Sequence, residues 1–532
     1  MAPFMLVGIA SLVLHCLAQG QVPQPLVIDP SGRWDGLDGP WSTFYVGVGR
    51  PLQSFRGVPG INSAITLLPT ECDNVTQLSE GLREACGSRT TFRDRDSTSW
   101  LNAGIFEIPQ NYFDPSNLTL GSRLGLDTFW FGTDTTQFLG LPESYVYCIS
   151  SPEFFVPVFG LTIGAFGVQQ LTKLTILSGL AENGRISSLS FGYTAGSNGS
   201  KRLIPVHGII GVDTTAENKS GSLILGGYDA SQVDPKTALS ATMPNAINTT
   251  MLVNVKAVSI SGYTSSSTWT PAPFVIDSVL PQIWMSIEAC KMFEEAFRLS
   301  WNADLQVYTI NDTTHDQLLR ESPTVTFTVG AKLEGGSTRN YTLPYSAFDL
   351  ILSPPLVTRE TRYFPLKRSQ NGINILGRAF LQEIYIIVDF ERMNFTISQA
   401  VVAETRDIIT IYNSSYTPAP SQDVTPPSPK YLSAGAYAGI SIGAALALFL
   451  VTILSCAWKK GWWFFRKKSS ERDRFDKAEL HDNAIPRVEA MEKERAELPA
   501  NEQSLEVAGS HPHPDIEGIH GLHELHSETR TS

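Results

Sequence analysis

From Phe44 to about Ala400 the chain is written in short runs of β-branched and aromatic residues, cut by Gly, Pro, Ser and Thr. Phe44–Val48, Leu223–Leu225, Met251–Val255 and Val325–Val329 are typical. Runs of this kind between turn residues predict strands. Two stretches break the pattern and predict helices, Thr172–Ala181 and Ile287–Leu299. The second carries Ala289, Met292, Phe293, Ala296 and Phe297 along one face, a stripe that predicts core packing. Residues 21–40 read as a polar, Gly/Pro-rich lead-in. One run stands apart. Phe274-Val275-Ile276 delivers a lone carboxylate, Asp277, into a turn at Ser278, and Val279-Leu280-Pro281-Gln282-Ile283-Trp284 carries the chain away. A sheet protein presents an acid at the end of a strand in this way.

Hydropathy also marks both ends. Residues 1–20 contain the apolar run Phe4–Leu14, too short to cross a bilayer, followed by the small-x-small site Ala18-Gln19-Gly20. This predicts a removed secretory signal, although no positive charge precedes the run. Ala436–Trp458 is almost wholly apolar and long enough to cross the hydrocarbon core as a helix. Lys459, Lys460, Arg466, Lys467 and Lys468 follow, with Trp458, Trp462, Trp463 and Phe464 as interfacial aromatics. Positive residues stay cytoplasmic, so a type I single-pass protein is expected, with its N-terminal bulk outside. A lipid-anchor signal is excluded by the long hydrophilic stretch that follows. Residues 413–430 form a Ser/Thr/Pro stalk, and 459–532 a disordered tail dense in charge. The basic cluster beside the span suits anionic lipid headgroups. His511, His513, His520, His523 and His526 read as a solvated low-complexity end, and no metal site or cofactor is expected.

Composition narrows the class. Asp and Glu outnumber Lys and Arg, 52 to 40, for a net charge of −12, which argues against nucleic-acid binding. Asn74, Asn117, Asn198, Asn218, Asn248, Asn311, Asn340, Asn394 and Asn413 all carry the N-x-Ser/Thr pattern, and all precede the span. Their confinement to one side predicts a glycosylated outer region. Cys16 leaves with the signal and Cys456 sits in the span. Cys72, Cys86, Cys148 and Cys290 remain in the oxidising compartment, where four cysteines allow three connectivities. Cys72 with Cys86 is the local choice, leaving Cys148 with Cys290, and spacing proves neither. No CxxC pair points to zinc, no Walker-type loop to a nucleotide, and neither His207 nor His315 sits near a nucleophile elbow.

Four passages in order resemble pepsin-like aspartic peptidases. Phe44-Tyr45-Val46-Gly47-Val48-Gly49-Arg50-Pro51-Leu52-Gln53 is similar to the family's opening "Y-x-V-x-V-G-T-P-x-Q". Gly221-Ser222-Leu223-Ile224-Leu225-Gly226-Gly227-Tyr228-Asp229 is similar to "G-x-L-x-L-G-G-x-D". Val275-Ile276-Asp277-Ser278-Val279 stands in the place of the second-lobe "D-T/S-G". Ile375-Leu376-Gly377-Arg378-Ala379-Phe380-Leu381 with Tyr385-Ile386-Ile387-Val388-Asp389-Phe390 resembles the closing "I-L-G-D-x-F-L-R-x-Y-Y-x-x-F-D". The stalk, span and tail are similar to those of fungal membrane-anchored members. The resemblance implies an all-β, bilobal, double β-barrel ectodomain over 41–400, with lobes at about 41–235 and 236–400, and a peptide cleft between them.

Family chemistry needs two aspartates that share a proton and a water. Counting without gaps from Gly49, the first falls at residue 60, which is glycine: the position reads Gly60-Ile61-Asn62-Ser63 in place of "D-T-G-S". Asp277 is left as the single catalytic-position acid, with Ser278 and Ser63 as binding residues beside the two turns. Asn62 is a neutral amide, and Asp73 lies well down the next segment. Ile61 lacks the hydroxyl for the buried grip beneath the site, Val279 replaces a glycine, and no Tyr-Gly hairpin appears near Tyr112 as a flap. The expected protein is therefore a membrane-tethered binder of a peptide or glycoprotein ligand in the inter-lobe cleft, at the cell surface or facing a vacuolar or endosomal lumen. No partner of the tail is identified. The alternative is an active aspartic endopeptidase that uses Asp277 with a second, unrecognised acid.

Overall fold

The computed structural model describes residues 23–72, 86–87, 89–105, 123–133, 140–168, 171–198, 202–206, 209–213, 219–244, 249–264, 269–369, 372–403, 405–416 and 453. The chain divides into one unit over Met1–Ser421 and a second over Gln422–Ser532, of which Ile453 alone is described. The expected signal, span and tail, most of the stalk, Tyr112 and Asp73 lie outside the described residues. Among the described residues no helix is long and apolar enough to cross a membrane.

The apolar runs become three large sheets. Eight strands between Pro30 and Gly160 form one, and seven between Leu252 and Leu376 form another. The third has six strands and draws on distant parts of the chain. Ser190–Thr194 lies between Ser222–Leu225 and Ile384–Asp389, with Leu26–Ile28 on one flank and Asn394–Gln399 and Leu239–Thr242 on the other. This third sheet joins strands from the first and second halves of the unit. Phe191, Leu223, Leu225, Ile386 and Val388 are wholly buried in it, each contributing about 1.5–3 kcal/mol of apolar transfer. All four strands singled out from the sequence are present.

The boundaries differ from those expected. The lead-in supplies two strands, Leu26–Ile28 and Pro30–Asp35, and beyond Ala400 the strand Ile408–Thr410 pairs with Gly227–Asp229. Edge pairing to a distant partner needs only a few residues and leaves little local signature. Helix Ile287–Phe297 starts where Ser286 Oγ accepts the Ala289 N–H at 3.2 Å and ends at Arg298 in the left-handed region. Its Met292, Phe293 and Phe297 are buried as the stripe predicts, with Ala289 and Ala296 packed against the same core. The other expected helix begins later, at Ile176–Glu182. Leu171–Leu174 is instead a strand of alternating exposure paired with Ala165–Val168. A third helix, Asp312–Glu321, is capped by Asn311, whose side chain accepts the Thr314 N–H at 2.9 Å.

Cys72 and Cys86 are bridged. The second expected bridge is not formed: Cys148 and Cys290 are free, buried thiols. Cys148 lies in the strand Leu141–Ile149, and Cys290 Sγ sits 3.7 Å from both Met285 O and Lys367 O. Burial pushes both thiols up, so both stay protonated and inert. Among the sequons, Asn311, Asn340 and Asn413 are exposed and Asn198 and Asn394 half-buried; Asn74, Asn117, Asn218 and Asn248 lie outside the described residues.

Candidate functional site

Two turns meet in the interior, each at the end of a strand. Gln53–Gly60 runs parallel to Val158–Gly160, with Gly60 opposite Gly160. Ala272–Ile276 runs parallel to Ile375–Leu376, with Ile276 opposite Leu376. The Leu161 N–H donates to Gly60 O at 3.0 Å, and on the other lobe the Asp277 N–H donates to Leu376 O at 3.1 Å. Glycine makes both crossings possible. A Cβ at residue 160 would stand 2.4 Å from Ser63 O, and one at residue 377 would stand 2.2 Å from Gln282 O. The chain thus brings Gly60 to one turn and Asp277 to its counterpart.

The turns are tied directly to each other. Ser278 Oγ accepts the Ile61 N–H at 2.9 Å and donates to Pro59 O at 2.5 Å. In the other direction Asn62 Nδ2 donates to Ile276 O at 2.7 Å. The missing hydroxyl at Ile61 is therefore made good by the next side chain, and the grip survives with an amide in one half. Ser278 and Ser63, expected as binding residues, both have their hydroxyls engaged within the protein. Ser278 is fully buried in the grip, and buried Ser63 turns its hydroxyl onto Ile65 O at 2.9 Å.

Above the grip the two departures from the family pattern fit one another. A Cβ at residue 60 would lie 2.8 Å from Val158 Cγ1, 2.9 Å from Ser63 Cβ and 3.3 Å from Val279 Cγ2. Val279 does not adopt a positive φ, so the loss of glycine there causes no backbone strain. Its side chain fills the space beside Gly60 and joins Val158, Val58, Leu67 and Trp41 in one apolar cluster. The space beside Gly60 is closed off by hydrocarbon atoms.

Asp277 is half-buried, and its Oδ1 accepts the Val279 N–H at 2.7 Å. Burial raises its pKa above the ordinary value of 3.8. Hydrogen bonds from Val279, Asn62 and Leu280 and the charge of Arg378 pull the other way without cancelling it. No acidic neighbour is among the causes, so the shift is one of desolvation and not of a proton shared by two acids. The sign follows. The folded state holds this proton more tightly than the unfolded chain, so the group's contribution to stability is full below 3.8 and is lost as pH rises through the raised folded value. Asp277→Asn is expected to raise the melting temperature near neutral pH and to change it little in strong acid. An increase confined to strong acid would contradict this assignment.

Arg378 occupies the position at which the family's closing motif has an aspartate. It is buried, and its Nη1 donates to Ser278 O at 3.1 Å and to Val279 O at 2.5 Å. Nη2 pairs with Asp38 at 3.1 Å, and the guanidinium lies 4.6 Å from the centre of the Trp41 ring. Trp41 Nε1 in turn donates to the other oxygen of Asp38 at 2.7 Å. Beside this clamp lies a cavity of about 340 Å³. Phe154, Val156 and Val158 wall one side, Val279, Leu280 and Trp284 another, and Glu153, Asp304, Lys367 and Arg378 supply charge. Lys367 Nζ sits 4.8 Å over the Trp284 ring, and burial lowers its pKa to about 8.

Neither Arg378 nor Glu153, Lys367 and Trp284 emerged from the sequence as site residues. For Arg378 a signal was present, since it breaks the closing motif at its fourth position. For the cavity residues none was, because they come together only when the lobes do.

Residues 208–402 match the family model described as Eukaryotic aspartyl protease. This stretch carries Asp277, Arg378 and the second-lobe sheet, and with the mostly β architecture it identifies a pepsin-like aspartyl protease domain in this part of the chain. The match begins after Gly60. No curated protein matches the chain.

Proposed function

We propose that this pepsin-like domain is catalytically degenerate and works as a membrane-held binder of peptide or glycoprotein segments. The carrying observation is the environment of Gly60: no carboxylate stands there, and Val158, Ser63 and Val279 occupy the room one would need. Dyad chemistry requires one ionised acid to activate water and one protonated acid to polarise the scissile carbonyl. A lone Asp277 holds one of those states at a time. Loss of such a partner removes a factor of ~10²–10⁴ from the rate. The cavity beside Arg378 and the hydrogen bonds that tie the two turns support a binding role. The type I anchoring, with the domain at the cell surface or in a vacuolar or endosomal lumen, rests on the apolar segment 436–458 and the basic cluster after it.

A second reading keeps the enzyme. Asp277 retains the backbone donors and the Asn62 contact of a positioned carboxylate, and a second, unrecognised acid would complete a pair. The full-length protein in detergent, given denatured protein at acid pH, is expected to leave it uncut. Cleavage blocked by a transition-state-analogue inhibitor and lost in Asp277→Asn would establish the second reading instead.

A further inference from the structure

The charges around the cavity do not cancel, and the imbalance indicates what it takes. Arg378 is committed to Asp38 and to the carbonyls of Ser278 and Val279. Asp38 is correspondingly committed to Arg378 and Trp41. Lys367 is stacked over Trp284 and engaged in a further contact. Two carboxylates remain. Asp304 is exposed, and Glu153 is half-buried; among the described residues neither side chain has a hydrogen-bond or ion-pair partner. For Glu153 burial is the sole cause of a raised pKa, as expected of a carboxyl withdrawn from water with nothing to compensate it.

The loop that carries Glu153 is held rigidly. Buried Arg89 donates from Nη1 to Ser151 O and to Phe154 O, the latter at 2.6 Å, and from Nη2 to Thr70 O at 2.7 Å. A guanidinium thus braces both sides of Glu153 through backbone carbonyls and leaves the carboxylate itself unpaired. Cys72, bridged to Cys86, lies 3.1 Å from the same Nη2. An unpaired acid on a braced loop, lining a cavity of mixed polar and apolar walls, is a preorganised half of an ion pair.

We infer that the cavity receives a basic side chain of a bound peptide, lysine or arginine, with its methylene stem against Phe154, Leu280 and Leu305 and its charge on Glu153. Long cationic side chains suit such a site because their stems are apolar and only their tips need a charged partner. Asp304 adds a like-signed field that draws a cation inward. This inference rests on the reading of the cleft as a peptide-binding groove, and it adds a specificity which that reading does not itself contain.

The test uses the full-length protein in detergent and fluorescent degenerate peptide pools that differ at one fixed position, arginine, norleucine or glutamate. The arginine pool is expected to bind about 10–100-fold more tightly than the norleucine pool, the range for a hydrogen bond to a charged group. Glu153→Gln should bring arginine down to the norleucine level while leaving norleucine binding in place, and, relieved of a desolvated carboxylate, the variant should melt no lower than the parent near neutral pH. Equal binding of arginine and norleucine, or a preference for glutamate, overturns the basic-side-chain assignment and leaves the peptide groove standing. Failure of every pool to bind overturns both.

Discussion

Arg378→Ala is expected to lower the unfolding free energy by about 3–5 kcal/mol, the range for removing one partner of a buried ion pair. The guanidinium serves four groups at once: Ser278 O, Val279 O, Asp38 and the Trp41 face. Alanine would leave two buried carbonyls without donors and Asp38 with Trp41 Nε1 alone. Asp38 is about a quarter exposed and can recover some water, so Asp38→Asn should cost distinctly less. Arg378→Lys should not rescue, because a single ammonium cannot reach the carbonyls and Asp38 together as the planar fork does. Urea unfolding of the three variants reads this directly. A loss below about 1 kcal/mol for Arg378→Ala would put the clamp in the class of surface pairs and remove its role as an inter-lobe tie.

Restoring the missing acid should not restore the enzyme. Gly60→Asp puts a Cβ within 3 Å of Val158 Cγ1 and Ser63 Cβ and drives its carboxylate toward the Val279 side chain. Overpacking of this kind costs about 1–3 kcal/mol, and an acid pressed against hydrocarbon adds a desolvation penalty. The single variant is expected to melt lower than the parent and to cut nothing at acid pH. Adding Val279→Gly should recover part of the stability by opening the room that Val279 now fills, while the contacts with Val158 and Ser63 persist. Peptidase activity in the single variant would show that Val279 does not close the site. A one-residue repair is expected to fall short because Val158, Ser63 and Val279 occupy the space beside Gly60.

Much of the fold was readable in the linear chain, since strand formation depends on runs of a few residues. The β-branched stretches Phe44–Val48 and Val325–Val329 became strands, and the apolar stripe of Ile287–Phe297 became a buried helix face. Both facts about the chemistry, an acid at 277 and a glycine at 60, were legible because each sits in a short motif at the end of a strand. Weak edge strands such as Leu26–Ile28 and Ile408–Thr410 escaped notice because their stability comes from a distant partner.

The state of the site was decided elsewhere. Spacing left the connectivity of four cysteines open, and folding bridges Cys72 to Cys86 while burying Cys148 and Cys290 apart. Motif comparison marked Ile61 as a lost hydroxyl, yet Asn62 supplies the missing donor across 214 residues of chain. Val279 read as a disturbance of a turn and proves to be the filling opposite Gly60. Arg378 read as one mismatch in a motif and proves to span 340 residues to Asp38. Each of these outcomes depends on which surfaces meet when two lobes close, and packing energy between residues so far apart leaves no periodic trace in the chain. Residue identities put a glycine at position 60; only their meeting in space shows that Val158, Ser63 and Val279 crowd the room a side chain there would need.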